Sequence, residues 1–133
     1  YVKPLLKALR APGYRAGGIK AMAHITGGGI LDNLPRVLPA GAMARIEAGA
    51  WPLPPVFQWL RRMGNVADME MLRTFNCGLG MILVAGEADA EAVEAALRRE
   101  GETVHRVGRI EARAPGSAAT VVDGTDKAWN RAG

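Results

Sequence analysis

His24, Thr26 and three consecutive glycines, Gly27, Gly28 and Gly29, close a short apolar run over 22–25. Helical character starts directly after them. A strand that runs through glycines into a helix presents backbone N–H groups that can hold a phosphate. Three glycines also remove each Cβ that would keep a ligand off the backbone. The competing reading is a tight strand-to-helix turn with no ligand. His24, if neutral, can donate to a substrate or a phosphate oxygen; if protonated, it can stabilise charge that develops in a transfer. Its alternative is a structural histidine at a strand end. Thr26 offers a hydroxyl either to the same anion or to a local loop bond.

A second group lies further along. Arg36 can grip a phosphate with two parallel hydrogen bonds, or form an exposed ion pair. Arg73, Thr74 and Asn76 stand where a short helix runs into a glycine-flanked loop before a buried strand, a place where polar residues line clefts. Asn76 is the best ligand contact among them; its alternative is to satisfy loop backbone. Glu70 reads as an outward helix residue rather than a base. Asp32 and Asn33 read as a capping or solvated pair. Cys77 has no histidine beside it and is not expected to be a nucleophile. His105 is expected on a strand, facing water.

The elements that must position these groups follow from periodicity. Val2, Leu5, Leu6 and Leu9 make one helical stripe, which Ala11-Pro12-Gly13 stops; Gly17-Gly18 turns into a strand over 19–25. Leu31, Leu34 and Leu38 mark a helix that Pro35 keeps short or kinked, because an interior proline costs about 3 kcal/mol. A strand over 42–47 and a loop over 48–52 come next. Pro54-Pro55 opens a helix whose stripe Val56, Trp59, Leu60 and Met63 is expected to face the core, with Gly64-Asn65 ending it. A short helix spans 67–73, and an apolar strand spans 79–85. Asp89 is the expected N-cap of a helix over 90–100, with a Glu94–Arg98 pair and Gly101 as its C′ residue. Strands follow over 103–109, extending towards 112, and over 118–122. The order implies an α+β fold, with a mixed β-sheet flanked by helices in α/β/α layers. The segment 79–122 reads as a strand–helix–strand unit with an antiparallel return, partly ferredoxin-like (βαββ). The domain is expected over 1–122, and 123–133 as a frayed polar tail unless Trp129 ties it down.

Bulk properties narrow the function classes. The 133 residues suit one domain with a real core, and 49% apolar with 23% charged residues is ordinary for a globular chain. No apolar stretch approaches the roughly 18 residues of a membrane span. One cysteine excludes an internal disulfide and fits a reducing, cytoplasmic setting; two distant histidines give no zinc spacing, so no metal site is expected. The net charge of +4 comes mostly from 13 scattered arginines, without the basic stripe and interleaved aromatics of a nucleic-acid binder. The start Tyr1-Val2-Lys3-Pro4 lacks an initiator Met and a leader pattern, so the chain is expected to be a piece of a longer or processed protein.

Three blocks, in order and at compatible spacing, carry a resemblance. The first is His24-Ile25-Thr26-Gly27-Gly28-Gly29 with Asn33-Leu34-Pro35-Arg36-Val37-Leu38-Pro39. The second is Trp51, then Pro55-Val56-Phe57-Gln58-Trp59-Leu60 and Gly64-Asn65-Val66. The third is Glu70-Met71-Leu72-Arg73-Thr74-Phe75-Asn76-Cys77-Gly78-Leu79-Gly80-Met81. Together they resemble the C-terminal domain of the phosphoribosylaminoimidazole synthetase (phosphoribosylformylglycinamidine cyclo-ligase) family, over residues 1 to about 122. Cys77 beside Asn76 departs from the family pattern without touching its chemistry.

The resemblance implies an ATP-dependent ring closure in purine biosynthesis. ATP phosphorylates the amide oxygen of formylglycinamidine ribonucleotide, the substrate's own nitrogen attacks that carbon, and phosphate leaves to give aminoimidazole ribonucleotide. It further implies a two-domain homodimer in which an N-terminal domain, absent from this chain, binds most of the ATP and Mg2+. This chain would then be the substrate-side half, inactive alone. Its partners would be a small-molecule ribonucleotide and its own N-terminal domain, with neither nucleic acid nor membrane. His24 is the one candidate catalytic group; Thr26, Gly27, Gly28, Gly29, Asn76, Arg36 and Arg73 are the expected substrate or phosphate contacts. Selenide and thiamine-monophosphate kinases, a hydrogenase maturation factor and the glutamine-dependent enzyme of the preceding purine step share the glycine junction more loosely. One of these ATP-dependent relatives is the runner-up, and a non-catalytic binding or assembly domain is the competing class.

Overall fold

A computed structural model describes residues 1–10 and 18–130. The expected helix stop at Ala11-Pro12-Gly13, and the Gly17 half of the first turn, lie outside the described residues. Two compact units divide the chain, 1–22 with 83–105 and 23–82 with 106–133.

In the first unit, α1 (Val2–Arg10) buries Leu5 and Ala8, while α5 (Ala90–Arg99) buries Val93, Ala96 and Leu97. The two helices pack together, as their stripes predict. Glu94 and Arg98 pair at 2.7 Å. The C-terminal glycine behaves as expected. Gly101 takes φ +87°, its N–H donates to Arg98 O, and Glu102 N donates to Leu97 O, which is the Schellman pattern. Asp89 sits at the N-cap position, but its side chain makes no capping hydrogen bond.

Strand β1 (Ile19–His24) pairs with β3 (Met81–Ala85). Ile25 N donates to Gly80 O and Gly86 N to Gly18 O, so the two strands run in opposite directions. In the second unit β2 (Ala42–Glu47) is the centre of a three-stranded mixed sheet, antiparallel to β4 (Gly108–Ala112) and parallel to β5 (Thr120–Asp123). Arg45 bridges this sheet, donating to Glu111 on β4 at 3.2 Å and to Asp123 on β5 at 2.6 Å. The α+β class stands. The ferredoxin-like second half does not: β3 belongs to the other ladder, and β2 separates β4 from β5. The reason lies in burial. Met43, Ala44 and Ile46 make β2 the strand that must be covered, whereas β4 is mostly exposed and suits an edge.

The second core is built on Ile30 and Leu34 against Met71, Leu72 and Cys77, all fully buried. It joins α2 (Gly29–Asn33) to α4 (Asp68–Thr74). As Pro35 predicts, α2 stops early, and a 3-10 turn over Pro35–Val37 replaces it. Five residues are too few for a helix to hold itself, so α2 exists by virtue of this packing.

Two further expectations are corrected, and for the tail the alternative of a tie through Trp129 holds. Residues 103–107 are irregular and β4 begins at Gly108; Glu47 N donates a last bond to Val107 O at 2.8 Å where β2 ends, so His105 lies off the strand. The expected frayed tail contains α6 (Thr125–Trp129), whose Trp129 is buried in the core and whose end is tied by Arg61, donating to Asn130 Oδ1 at 2.9 Å. Most of the stripe of α3 (Pro55–Met63) faces out: Val56, Trp59 and Met63 are 56%, 56% and 72% exposed, and Leu60 is half-buried. Phe57 turns inward instead, its ring 5.8 Å from that of Phe75, and Arg61 grips Asp68 Oδ1 at 2.6 Å.

Candidate functional site

The alternation of β1 sets the direction of its last residues. Ala23 and Ile25 are buried, so His24 and Thr26 emerge on the opposite, exposed face. The chain then turns through the glycines into α2.

That turn is held from inside by Asn33, at the far end of α2 and only 6% exposed. Its Nδ2 donates to Gly29 O at 2.8 Å, Gly27 O at 3.1 Å and Thr26 O at 3.3 Å. Thr26 O also accepts Gly29 N at 2.9 Å. A trans peptide points its C=O and N–H in opposite directions. The Thr26 carbonyl shares a peptide with the Gly27 N–H, and the Gly27 carbonyl shares one with the Gly28 N–H. With both carbonyls drawn inward, both N–H groups face away from Asn33. Consecutive outward N–H groups make an anion-binding concavity.

The three glycines are glycine for three different reasons. Gly29 has φ +59°, and a Cβ there would fall on the Leu72 carbonyl oxygen and within 2.9 Å of Phe75 O. Its lack of a side chain lets α2 touch the end of α4. Gly28 has φ +94°, and a Cβ would lie 2.8 Å from Asp32 Cβ. Gly27 has neither constraint: nothing stands within 4 Å of a Cβ placed on it. Only at Gly27 does the missing side chain leave open space rather than solve a packing problem.

Contact between Gly29 and the Leu72 and Phe75 carbonyls brings the second group beside the first. There the polar side chains are already engaged. Arg73 Nη1 lies 3.0 Å from Glu70 Oε1, both groups more than half exposed, a pair worth about 0–1 kcal/mol. Glu70 is thus the outward residue its position predicts. Asn76 opens a tight turn: Leu79 N donates to Asn76 O, Gly78 N donates to Asn76 Oδ1 at 2.9 Å, and Cys77 and Gly78 both have positive φ. Its side-chain oxygen therefore serves the loop backbone, the alternative reading of this residue. Arg36 turns back along the chain, its Nη1 donating to Asn33 Oδ1 at 3.4 Å.

Cys77 is buried at the centre of that turn, and burial pushes its thiol up to about 12, with Asp68 adding to the effect. A thiol held neutral in this way is no nucleophile at neutral pH. Its Sγ reaches Met71 O at 3.5 Å, and Trp51 Nε1 donates to Cys77 O at 2.9 Å. Among the described residues no cluster of three or more His, Cys, Asp or Glu is arranged to hold a metal ion. Among the described residues no helix is long and apolar enough to cross a membrane.

Asn33, read from sequence as a capping or solvated residue, is instead the buried residue that holds the loop. The available signal was a two-donor side chain one helical turn beyond a glycine loop, a position from which it can reach back to the loop carbonyls.

Comparison with known proteins identifies the family. Residues 1–120 match the family model described as AIR synthase related protein, C-terminal domain. Three curated relatives named phosphoribosylformylglycinamidine cyclo-ligase align over 122 residues: one from Bordetella petrii at 55% identity, and ones from Methylobacillus flagellatus and Aromatoleum aromaticum at 52% each. The aligned part is 92% of this chain but 34% of each relative, so the chain spans about a third of their length.

Proposed function

Because the chain belongs to the AIR synthase related protein C-terminal domain family, we propose that it forms the substrate-side wall of a phosphoribosylformylglycinamidine cyclo-ligase. The full reaction consumes formylglycinamidine ribonucleotide and ATP, and yields aminoimidazole ribonucleotide, ADP and phosphate. The observation that carries the reading is the pair of outward N–H groups at Gly27 and Gly28, beside open space at Gly27. Each hydrogen bond from such a donor to a charged phosphate contributes about 1.5–3 kcal/mol. That is enough to orient a ribonucleotide phosphate or the phosphoryl group in transfer, which is most of what catalysis of phosphoryl transfer requires.

Thr26 and His24, on the same exposed face, supply a hydroxyl and an imidazole to that anion or to the reacting amide. Arg36, Arg73 and Asn76 each have one polar atom engaged locally and keep further N–H donors for an anion, so they stand as additional contacts beside the loop. ATP and Mg2+ are held mostly by the remaining two thirds of the full-length protein, which dimerises and works in the cytoplasm. On this reading the isolated chain does not hydrolyse ATP in the presence of the formylglycinamidine substrate.

Calorimetric titration with the product ribonucleotide tests the loop. Gly27→Val places a branched side chain in the open space without opposing a packing contact. It should weaken binding about tenfold or more while leaving the melting temperature within a few degrees of the parent. Equal affinity in the variant overturns the assignment of the phosphate to this loop.

A further inference from the structure

We propose that Asn33 is the positioning residue of the glycine loop: clamped by Arg36, its carboxamide dictates which way the Gly27 and Gly28 amides face. The proposal rests on the phosphate reading of that loop given above, but its geometric part is testable without a ligand.

A carboxamide has two chemically opposite ends. In Asn33 three backbone carbonyls meet the NH2 end and a guanidinium meets the oxygen. Rotating the group by half a turn would set Oδ1 against three oxygens and Nδ2 against Arg36, so one orientation is enforced. The clamp matters because of the residues it holds. Peptides between glycines can flip with little steric cost. A flip at 26–27 or 27–28 would turn a carbonyl outward where an N–H stood, and would replace attraction for an anion by repulsion. The freedom that admits a ligand thus makes the loop ambiguous, and Asn33 removes the ambiguity from a buried position that touches no ligand.

The experiment uses the chain labelled with nitrogen-15 and two readouts. Residual dipolar couplings report the directions of the Gly27 and Gly28 N–H bonds without ligand. Titration with inorganic phosphate reports affinity through the same two resonances. Asn33→Ala should change both couplings and weaken phosphate binding about tenfold, the effect of turning away one or two charge-assisted bonds. Met43→Ala, a core deletion in β2 remote in sequence from the loop, should lower stability and leave couplings and affinity unaltered. If Asn33→Ala does not fold, Asn33→Asp keeps the shape and loses the donors, and its couplings alone decide. Unchanged couplings in either variant overturn the proposal. Altered couplings in a chain whose parent form does not respond to phosphate uphold the positioning role and overturn the phosphate reading instead.

Discussion

Helices α2 and α3 invert what their sequences advertise. The nine residues of α3 carry a regular apolar stripe and a proline start, yet none is buried and most of the stripe faces solvent. The five residues of α2 begin with glycine and are stopped by proline, yet Gly29, Ile30 and Asn33 are buried. Periodicity tells which residues share a helical face; it does not tell which face meets the core. That choice is made by contacts outside the helix itself, through Phe57, Gln58 and Arg61 for α3 and through Leu72 and Phe75 for α2. A short helix with few alternatives can be more tightly determined than a long one with a good pattern.

The sharpest way to break this comparison is Gly29→Ala. The added methyl must displace the Leu72 carbonyl and also take a positive φ, at about 1–2 kcal/mol for the backbone and about 1–3 kcal/mol for overpacking. A loss of about 2–5 kcal/mol in urea denaturation is therefore expected. A loss under about 0.5 kcal/mol, the size of an ordinary surface change, would mean that α2 does not press on α4 as described.

How far the sequence disclosed this arrangement depends on the range of the forces involved. Local features were legible: the Schellman end at Gly101, the shortening of α2 at Pro35, and the strand that leads into the glycines. Each is decided within a few residues by backbone sterics or by side-chain period. The centre position of β2 and the outward face of α3 were not, since they depend on strands far along the chain or on competition for one core, while Trp129 was legible only as an alternative to a frayed tail. At the site, the glycines signalled a backbone approach but not that only Gly27 is open. Gly28 and Gly29 look identical to it in sequence, and only the neighbours in space tell the three apart.

The core beneath α2 and α4 also yields a pH signature that α3 lacks. The Cys77 thiol is raised from its ordinary 9.0 to about 12 in the fold. A group whose folded pKa is raised contributes stability that is complete below the unfolded value and is lost as pH rises towards the folded one. The window here is about pH 9 to 12, with a slope of at most about 1.4 kcal/mol per pH unit. Other groups titrate in this range, so the measure is the difference between parent and Cys77→Ala. The parent's stability should fall more steeply than the variant's from pH 9 to 10.5, in chemical denaturation at each pH. Parallel curves would place the thiol in contact with solvent.

The smallest effect belongs to the face of α3 that the sequence assigned to the core. Had Trp59 been buried, truncating it would cost about 3–5 kcal/mol, as for aromatic residues in cores generally. At 56% exposure it has little transfer energy to lose, and glutamine fits a helix about as well as tryptophan or better. Trp59→Gln in this chain should therefore shift stability by no more than about 0.5 kcal/mol, while Phe57→Ala on the inward side costs more because it opens the contact with Phe75. Reversal of that order in urea denaturation would turn α3 over. The stripe would then face the core as its period suggests, and the contrast with α2 would disappear.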